Sequence, residues 1–179
     1  MFTTYQFEKQ NMLQHGYSVY LYFMDLLTYL KEGKSEINWI LPRPLLENKE
    51  DFVTDLSEDI IFSYLLFHDV GKPFCKTEVD GKTRFPLHEF VSNLVYSIFK
   101  KNEDVANLIL LDMVFHTWDV ERIKEILEFK YWRISMLAAY AELYSNAEMF
   151  GGQENVSFKI KKKKLDRRVK VILNEAITI

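Results

Sequence analysis

The stretch from Asn11 to about Glu32 constrains the fold more than any other part of the chain. From Tyr17 onward it is apolar on nearly all sides, which is typical of a helix buried in the centre of a helical protein. Asn11 is a suitable N-cap and Gly33 a suitable C-terminal stop. The apolar run from Tyr17 to Leu30 is interrupted by polar residues and is shorter than the roughly 20 residues of a membrane span. We therefore expect a central, mostly buried helix and no membrane segment.

The rest of the chain is predicted to be helical as well. Helical spacing of apolar residues predicts helices over 58–70, 87–101, 104–115, 120–129 and 132–150, and favours a last helix over a hairpin near the C-terminus. Pro42-Arg43-Pro44 is expected to break regular structure between residues 34 and 54, and a tight turn is expected at 79–82. The predicted fold is all-α, a single-domain helical bundle of about six to seven helices. Its domain is predicted over 1–152, with 153–179 as a basic C-terminal extension.

The composition narrows the class of protein. An apolar share of 48% is typical of a globular protein rather than a disordered one, and six Gly with four Pro argue against a turn-rich all-β fold. Cys75 is the single cysteine, so no internal disulfide can form, which suits a reducing compartment. No basic segment leads into an apolar core at the start of the sequence. We therefore expect a cytoplasmic protein, and the sequence leaves its oligomeric state open.

The charge of the chain is unevenly distributed. The formal net charge is −3, yet the segment from Lys159 to Lys170 holds eight Lys or Arg against Asp166 alone, a net charge of +7, which leaves −10 for the remainder. A basic block of this kind is either a contact for nucleic acid or a solvated surface, and the solvated surface is the commoner of the two.

The dipeptide His68-Asp69 is the strongest chemical signal in the sequence. It follows the apolar run Tyr64-Leu65-Leu66-Phe67 and precedes the breaker Gly71-Lys72-Pro73, so two strongly polar groups come at the end of a predicted buried helix. Polar groups that enter the interior need partners or a metal. The dipeptide therefore predicts a buried functional group.

The other histidines fit the same interpretation. His15, His88 and His116 each lie at or near the end or the first turn of a predicted helix. Taken alone, His88 is more easily a cap or a surface residue, His15 is as easily an exposed histidine, and His116 is as easily a packed core residue. Helices that converge in a bundle can direct such ligands into one cavity. Imidazoles with one or two carboxylates suit Zn, Mn, Fe, Co or Ni, and carboxylates also recruit Mg.

The order of these residues resembles the HD-domain metal-dependent phosphohydrolase superfamily. The resemblance rests on Phe67-His68-Asp69-Val70-Gly71-Lys72-Pro73, on the stretch from Asp80 to Glu89 that ends in Leu87-His88-Glu89, and on Phe115-His116. These motifs are similar to HD domains appended to bacterial tRNA nucleotidyltransferases and to HD modules fused to polynucleotide kinases in RNA repair. The resemblance covers roughly residues 11–152.

The resemblance implies a set of metal ligands. His15, His68 and Asp69 would hold one divalent ion, and Asp69 would bridge to a second. His88 and His116 would complete the second site or contact the phosphate. One or two ions of Mn, Ni, Co, Fe, Zn or Mg are therefore the expected cofactor.

This chain departs from the superfamily at the last ligand. The superfamily closes the first site with an aspartate on a late helix, usually after an alanine, but the corresponding segment 137–146 contains no aspartate. Glu142, which follows Ala141, is the favoured substitute because a carboxylate one methylene longer still coordinates. Asn146 and Asp119 are the alternatives, and an asparagine there would weaken the site.

The resemblance also implies a reaction. A bound ion would activate water against a phosphorus atom, so Asp69 and Lys72 are the expected catalytic residues, with Lys72 neutralising phosphate oxygens. For Lys72, a solvated lysine in a turn is an equally good interpretation. Lys76 and Arg84, in the loop before His88, are further candidates for substrate contacts. The basic segment adds three more candidates, namely Lys161, Lys163 and Arg167.

Three functions follow, and they are distinguishable. The favoured one is hydrolysis of phosphoester bonds in nucleotides or at RNA ends of the 2′,3′-cyclic phosphate or 2′-phosphate type, with the basic segment contacting nucleic acid. The second is a nucleotidase or triphosphohydrolase on free nucleotides, for which the basic segment would be irrelevant. The third is a degenerate HD domain that binds nucleic acid or protein without hydrolysis.

Overall fold

The computed structural model describes residues 5–7, 10–52 and 57–176, and the predicted all-α fold is confirmed. Its helices are α1 Met12–Glu32, α2 Arg43–Glu47, α3 Glu58–Phe67, α4 Lys72–Cys75, α5 His88–Phe99, α6 Glu103–Leu111, α7 Val114–Thr117, α8 Trp132–Met149 and α9 Val156–Ala176. Two 3₁₀ segments, Lys49–Phe52 and Arg122–Glu128, and two antiparallel pairs, β1 Tyr5–Phe7 with β2 Gln10–Asn11 and β3 Thr77–Val79 with β4 Lys82–Arg84, complete the described part. Of the described residues, no helix is both long and apolar enough to cross a membrane.

The chain divides into two compact units. The first unit comprises Met1–Tyr20 and Leu56–Asp112, and the second unit comprises Leu21–Asp55 and Met113–Ile179. In the first unit α6 packs on α3 and α5, and α4 packs on α5. In the second unit α9 packs on α2, α7, α8 and the 3₁₀ segment Arg122–Glu128. The basic segment therefore belongs to the second unit. Residues 177–179 of the predicted extension lie outside the described residues, and the predicted boundary at residue 152 stays a prediction.

The start and the end of α1 follow from local side-chain chemistry. The side chain of Asn11 accepts a hydrogen bond from the backbone N–H of Gln14 (2.9 Å), and the Gln14 side chain accepts one from the N–H of Asn11 (3.0 Å). This reciprocal pair satisfies N–H groups that have no partner within the helix. At the other end Gly33 adopts φ 71° and its N–H binds the carbonyl of Tyr29. Both predicted ends of this helix are confirmed.

Most of α1 between Tyr17 and Leu30 is buried or half-buried, as predicted, but one face is exposed. Tyr17 and Leu21 are 50% and 49% exposed, and Thr28 lies on the same exposed side. These positions are four and seven residues apart, which places them on one face of a helix. The opposite face is buried, through Met12, Val19, Phe23, Leu26, Leu27 and Leu30. Large apolar side chains at the surface are ordinary in proteins, so composition alone overestimated burial here.

Two prolines begin helices, although the sequence predicted that they interrupt structure. Pro44 lies in the first turn of α2, inside the segment predicted to be irregular. Pro73 lies in the first turn of α4, so the chain after α3 turns and re-enters a short helix. Proline is tolerated in a first turn because its missing N–H would have no helical partner there. The helix predicted to reach Val70 consequently ends at Phe67.

The later elements also differ in detail from the prediction. The helix predicted over 104–115 is broken after Leu111 into α6 and α7, and the one predicted over 120–129 is the 3₁₀ segment Arg122–Glu128. The predicted last helix is confirmed as α9, which buries Phe158, Leu165, Val169, Ile172 and Leu173 on one side. The turn predicted at 79–82 is confirmed, since Asp80 and Gly81 both have positive φ between β3 and β4.

Two glycines allow backbones of the first unit to touch. A Cβ on Gly16 would lie 2.5 Å from the carbonyl oxygen of Leu65, so α1 and α3 meet there without an intervening side chain. A Cβ on Gly71 would strike the backbone N of Ser92 and lie 2.7 Å from the carbonyl oxygen of His88. Close packing of this kind leaves no room for a methyl group. It brings the start of α1 and the start of α5 next to the turn that follows α3.

Candidate metal centre

Asp69 lies in the middle of a buried polar cluster in the first unit. Its side chain is 1% exposed and sits in the turn after α3. The Nε2 atoms of three imidazoles surround its carboxylate, at 3.6 Å for His15, 3.5 Å for His68 and 3.3 Å for His88. The structure therefore brings together three of the four predicted histidine ligands with the predicted aspartate.

The separations in this cluster suit a shared ion better than direct hydrogen bonds. An N–H···O bond is normally about 2.7–3.2 Å long, and all three contacts are longer. Nitrogen and oxygen ligands bound at about 2.0–2.2 Å to one ion lie roughly 3 to 3.5 Å apart. The observed spacing and the donor set of imidazole and carboxylate thus fit a divalent transition metal.

Two of the histidines are oriented by backbone carbonyl groups. His68 Nδ1 lies 2.6 Å from the carbonyl oxygen of Leu65, and His88 Nδ1 lies 3.0 Å from that of Phe85. A carbonyl oxygen only accepts, so each Nδ1 carries the proton and each Nε2 is directed to the Asp69 carboxylate. A hydrogen bond from the second ring nitrogen to a carbonyl is the usual support of a metal-binding histidine.

Asp112, which the sequence analysis missed, adds a second buried carboxylate to the cluster. Ligand atoms of His68, Asp69 and Asp112 all lie within 4.8 Å of one another, and all three side chains are buried. The hydroxyl of Tyr64 donates to Asp112 Oδ1 at 2.8 Å, which fixes the orientation of this carboxylate. Two carboxylates so close together in the interior require a compensating cation. The three residues form a group that can hold a metal ion.

Lys72 supplies positive charge to the cluster from the start of α4. Its ammonium donates to Asp69 Oδ2 at 2.5 Å, and the residue is buried. Burial alone would raise the pKa of the Asp69 carboxyl, but the Lys72 ammonium and the surrounding histidines hold that pKa well below its usual range. The interpretation of Lys72 as a solvated lysine is therefore wrong. Its predicted role against phosphate stays a prediction.

The pKa of His88 shifts in the opposite direction from that of Asp69. Burial would lower the pKa of its imidazole, but the close contact with the Asp69 carboxylate and the charge of that group outweigh burial and raise the pKa above the usual value. Because Nδ1 already holds a proton against Phe85, the additional proton sits on Nε2 and faces Asp69. A metal ion at His88 would therefore compete with a proton for this nitrogen.

A sequence signal for Asp112 was present. It follows the apolar run Leu108-Ile109-Leu110-Leu111 in the same way that His68-Asp69 follows its own apolar run. Ser92 is different, since its Oγ accepts a hydrogen bond from the N–H of Gly71 at 2.9 Å in the buried turn. Nothing near Ser92 in the sequence indicates a partner 21 residues away.

The remaining predicted ligands lie in the second unit. His116 in α7 and Glu142 in α8 form an ion-pair contact of 2.9 Å, with side chains 24% and 14% exposed. Asn146, one turn further along α8, donates to Glu142 at 3.5 Å. Asp119 is exposed, and its side chain accepts a hydrogen bond from the N–H of Arg122, the first residue of the 3₁₀ segment. That Glu142 and His116 complete the centre around Asp69 stays a prediction.

The predicted substrate contacts fall in three places. Lys76 is exposed and pairs with Glu78 at 3.7 Å, and Arg84 is exposed on β4. Lys161 lines a cavity of the second unit together with His116 and Glu142. Lys163 and Arg167 lie on the opposite side of α9.

No family model, no curated protein and no solved structure matches this chain.

Proposed function

We propose that this protein is a metal-dependent phosphohydrolase of the HD type, acting on phosphoester bonds of nucleotides or RNA termini. The observation that carries the proposal is the buried cluster around Asp69. Its three imidazoles and two carboxylates come from the start of α1, the turn after α3, the start of α5 and the end of α6. A protein does not gather so many polar groups in its interior without a cation or a strong network to compensate them.

Some residues of such a site would bind the metal, and others would orient the metal ligands. His15, His68, Asp69 and Asp112 would hold the ion, and His88, on the other oxygen of Asp69, would help hold a second. When bound, the metal supplies Lewis-acid chemistry, which lowers the pKa of water and neutralises charge on a phosphate. Tyr64 and the carbonyl groups behind His68 and His88 keep the ligands in one orientation.

Burial strengthens the electrostatic interactions of these groups. Water is largely excluded around Asp69, so the attraction between the carboxylates and a cation is screened much less than at the surface. Lys72 offsets the negative charge of Asp69 inside the same enclosure. The arrangement favours binding of a small hard or borderline cation and of the anionic group that the cation attracts.

The test combines metal binding with hydrolysis. Metal-free protein is titrated with Mn, Ni, Co, Zn and Mg by calorimetry, and hydrolysis of bis(p-nitrophenyl) phosphate and p-nitrophenyl phosphate is measured with each ion. Asp69→Ala is expected to reduce both ion affinity and turnover by at least about 100-fold, since it removes the carboxylate on which three imidazoles converge. Asp59→Ala, which removes an exposed carboxylate at the start of α3, is the matched control and is expected to leave both unchanged.

Two results contradict the proposal. One is the absence of hydrolysis with every ion, and the other is equal hydrolysis by wild type and Asp69→Ala. Tight ion binding without hydrolysis of either ester would favour the degenerate binding domain.

A further inference from the structure

The second unit contains a cavity of about 380 Å³ between α7, α8 and α9. His116 and Glu142 line one side of it, and Lys161 and Lys164 of α9 line the other. Arg168 also reaches the cavity, but its guanidinium donates to the backbone carbonyl oxygens of Trp118 (2.5 Å) and Phe115 (3.3 Å). Arg168 therefore holds α9 against the segment around α7. Lys161 and Lys164, in contrast, are exposed side chains of the cavity wall.

The two lysines differ from their neighbours in their charge partners. Lys159 is paired with Glu154 and Lys162 with Asp166, each at 2.6 Å. Among the described residues, no carboxylate lies within ion-pair distance of Lys161 or Lys164. Glu142, the carboxylate of the same cavity, is held by His116. The cavity thus presents two ammonium groups whose charge is available to an anion.

The opposite side of α9 lacks the shape of a binding site. Lys163 and Arg167 lie there beside a hollow of about 600 Å³ that is lined by residues of α9 alone. A ligand in such a hollow would have no second wall to contact. Helical geometry at about 100° per residue places Lys161 and Lys164 on one face and this pair on the other. The basic segment is therefore split into a face with a cavity and a solvated face.

A second cavity of about 260 Å³ adjoins the first along α8 and α9. Leu143, Asn146 and Lys161 line both cavities, which makes them neighbours. The walls of the second cavity combine the rings of Phe150 and Phe158 with a few polar side chains. Apolar walls with a few polar groups suit a flat heterocycle, and aromatic side chains offer stacking surfaces for any base.

We propose that these two adjoining cavities bind a nucleoside monophosphate unit. The phosphate lies between Lys161 and Lys164 in the larger cavity, and the base lies against Phe150 in the smaller one. The inference concerns the second unit alone and goes beyond the proposed function, which depends on the cluster around Asp69 in the first unit. It does not require a metal for binding, so the two can be tested separately.

The experiment measures binding of AMP, ribose 5-phosphate and inorganic phosphate to the full-length chain by calorimetry in the presence of a chelator. Lys161→Met with Lys164→Met is expected to weaken AMP binding at least tenfold. Lys163→Met with Arg167→Met removes the same charge from the other face of α9 and is expected to change the affinity by less than threefold. Circular dichroism of both double variants checks that α9 is retained.

The base is tested separately from the phosphate. Phe150→Ala is expected to weaken AMP binding about fivefold or more, because it removes a stacking surface, and to leave ribose 5-phosphate binding unchanged. Phe150 is half exposed at the end of α8, so its loss does not remove core packing.

Three results overturn this inference: no binding of AMP by wild type, equal weakening by the two double variants, or equal affinity for AMP and ribose 5-phosphate. Failure of the proposed function has a different pattern, namely AMP binding intact with no hydrolysis of either nitrophenyl ester. Hydrolysis intact without the expected AMP binding contradicts the inference alone.

Discussion

The two units each contain a histidine–carboxylate cluster, and the clusters differ in how they meet solvent. In the first unit Asp69 and His15 are almost completely buried, and other polar side chains enclose them. In the second unit His116 and Glu142 are partly exposed and line an open cavity beside two lysines. Similar residue types therefore have different surroundings in the two units. An enclosed cluster is suited to retaining an ion, and an open one to admitting a ligand.

The enclosure of the first cluster has a backbone origin. Gly16 and Gly71 let three segments approach so closely that a Cβ at either position would meet backbone atoms of the neighbouring segment. In the second unit His116 comes from the four-residue helix α7, and the cavity remains between α7, α8 and α9. The consequence is that charge changes in the first cluster should cost much more stability than charge changes around the second.

The largest expected effect comes from removing the cation of the enclosed cluster. Lys72→Met is expected to lower the free energy of unfolding of the metal-free protein by about 3–5 kcal/mol, because Asp69 loses its closest buried partner. Lys163→Met, on the solvated face of α9, is expected to change it by an amount within error. Urea unfolding monitored by circular dichroism measures both.

Saturating divalent ion sharpens this comparison. It is expected to restore part of the stability of Lys72→Met, because an ion supplies the missing positive charge. An unchanged deficit in the presence of ion would show that Lys72 stabilises the unit by packing rather than by charge.

A smaller effect is expected from changing Glu142, the residue predicted from the sequence to be the last metal ligand. Glu142→Gln is expected to weaken ion binding by roughly 10- to 100-fold if Glu142 replaces the late aspartate, whereas Asn146→Ala on the same face of α8 is expected to have little effect. Calorimetric titration with Mn and Ni measures both affinities. Unchanged ion affinity in Glu142→Gln would confine the metal ligands to the first unit. Weaker ion binding in Asn146→Ala alone would identify Asn146, rather than Glu142, as the last ligand.

The smallest effect concerns the tyrosines that orient carboxylates. Tyr64→Phe is expected to destabilise the protein by about 1–2 kcal/mol, because it removes the hydrogen bond that the Tyr64 hydroxyl donates to the buried Asp112. Tyr140→Phe removes the matching bond to Asp166 and is expected to cost less, because the Asp166 side chain is partly exposed whereas Asp112 is buried. Thermal unfolding of the two variants gives the comparison. Equal costs would mean that burial of the carboxylate does not decide the size of the effect.

Much of the fold was predictable because it follows from local chemistry. Asn11 and Gly33 bound α1 through hydrogen bonds within a few residues of each other, and the spacing from Leu165 to Leu173 defines one face of α9. The gathering of His15 and His88 around Asp69 also agrees with the sequence, since each lies near a helix start.

What could not be predicted depends on contacts between distant parts of the chain. Asp112 meets Tyr64 across 48 residues, and Ser92 meets Gly71 across 21, so neither contact has a local signal. The burial of Lys72 is of the same kind. Lysine beside Gly71 and Pro73 is typical of an exposed turn, and only the packing of α4 on α5 encloses it.

The distribution of aromatic residues has a spectroscopic consequence. All three tryptophans of the chain, Trp39, Trp118 and Trp132, belong to the second unit, while the buried cluster of the first unit has Tyr64 beside it. Selective excitation of tryptophan therefore reports on the second unit alone. Tyrosine absorption does not separate the units in this way, because the ten tyrosines of the chain are divided between them. A ligand titration of the second unit can thus be followed by tryptophan emission in an untagged sample.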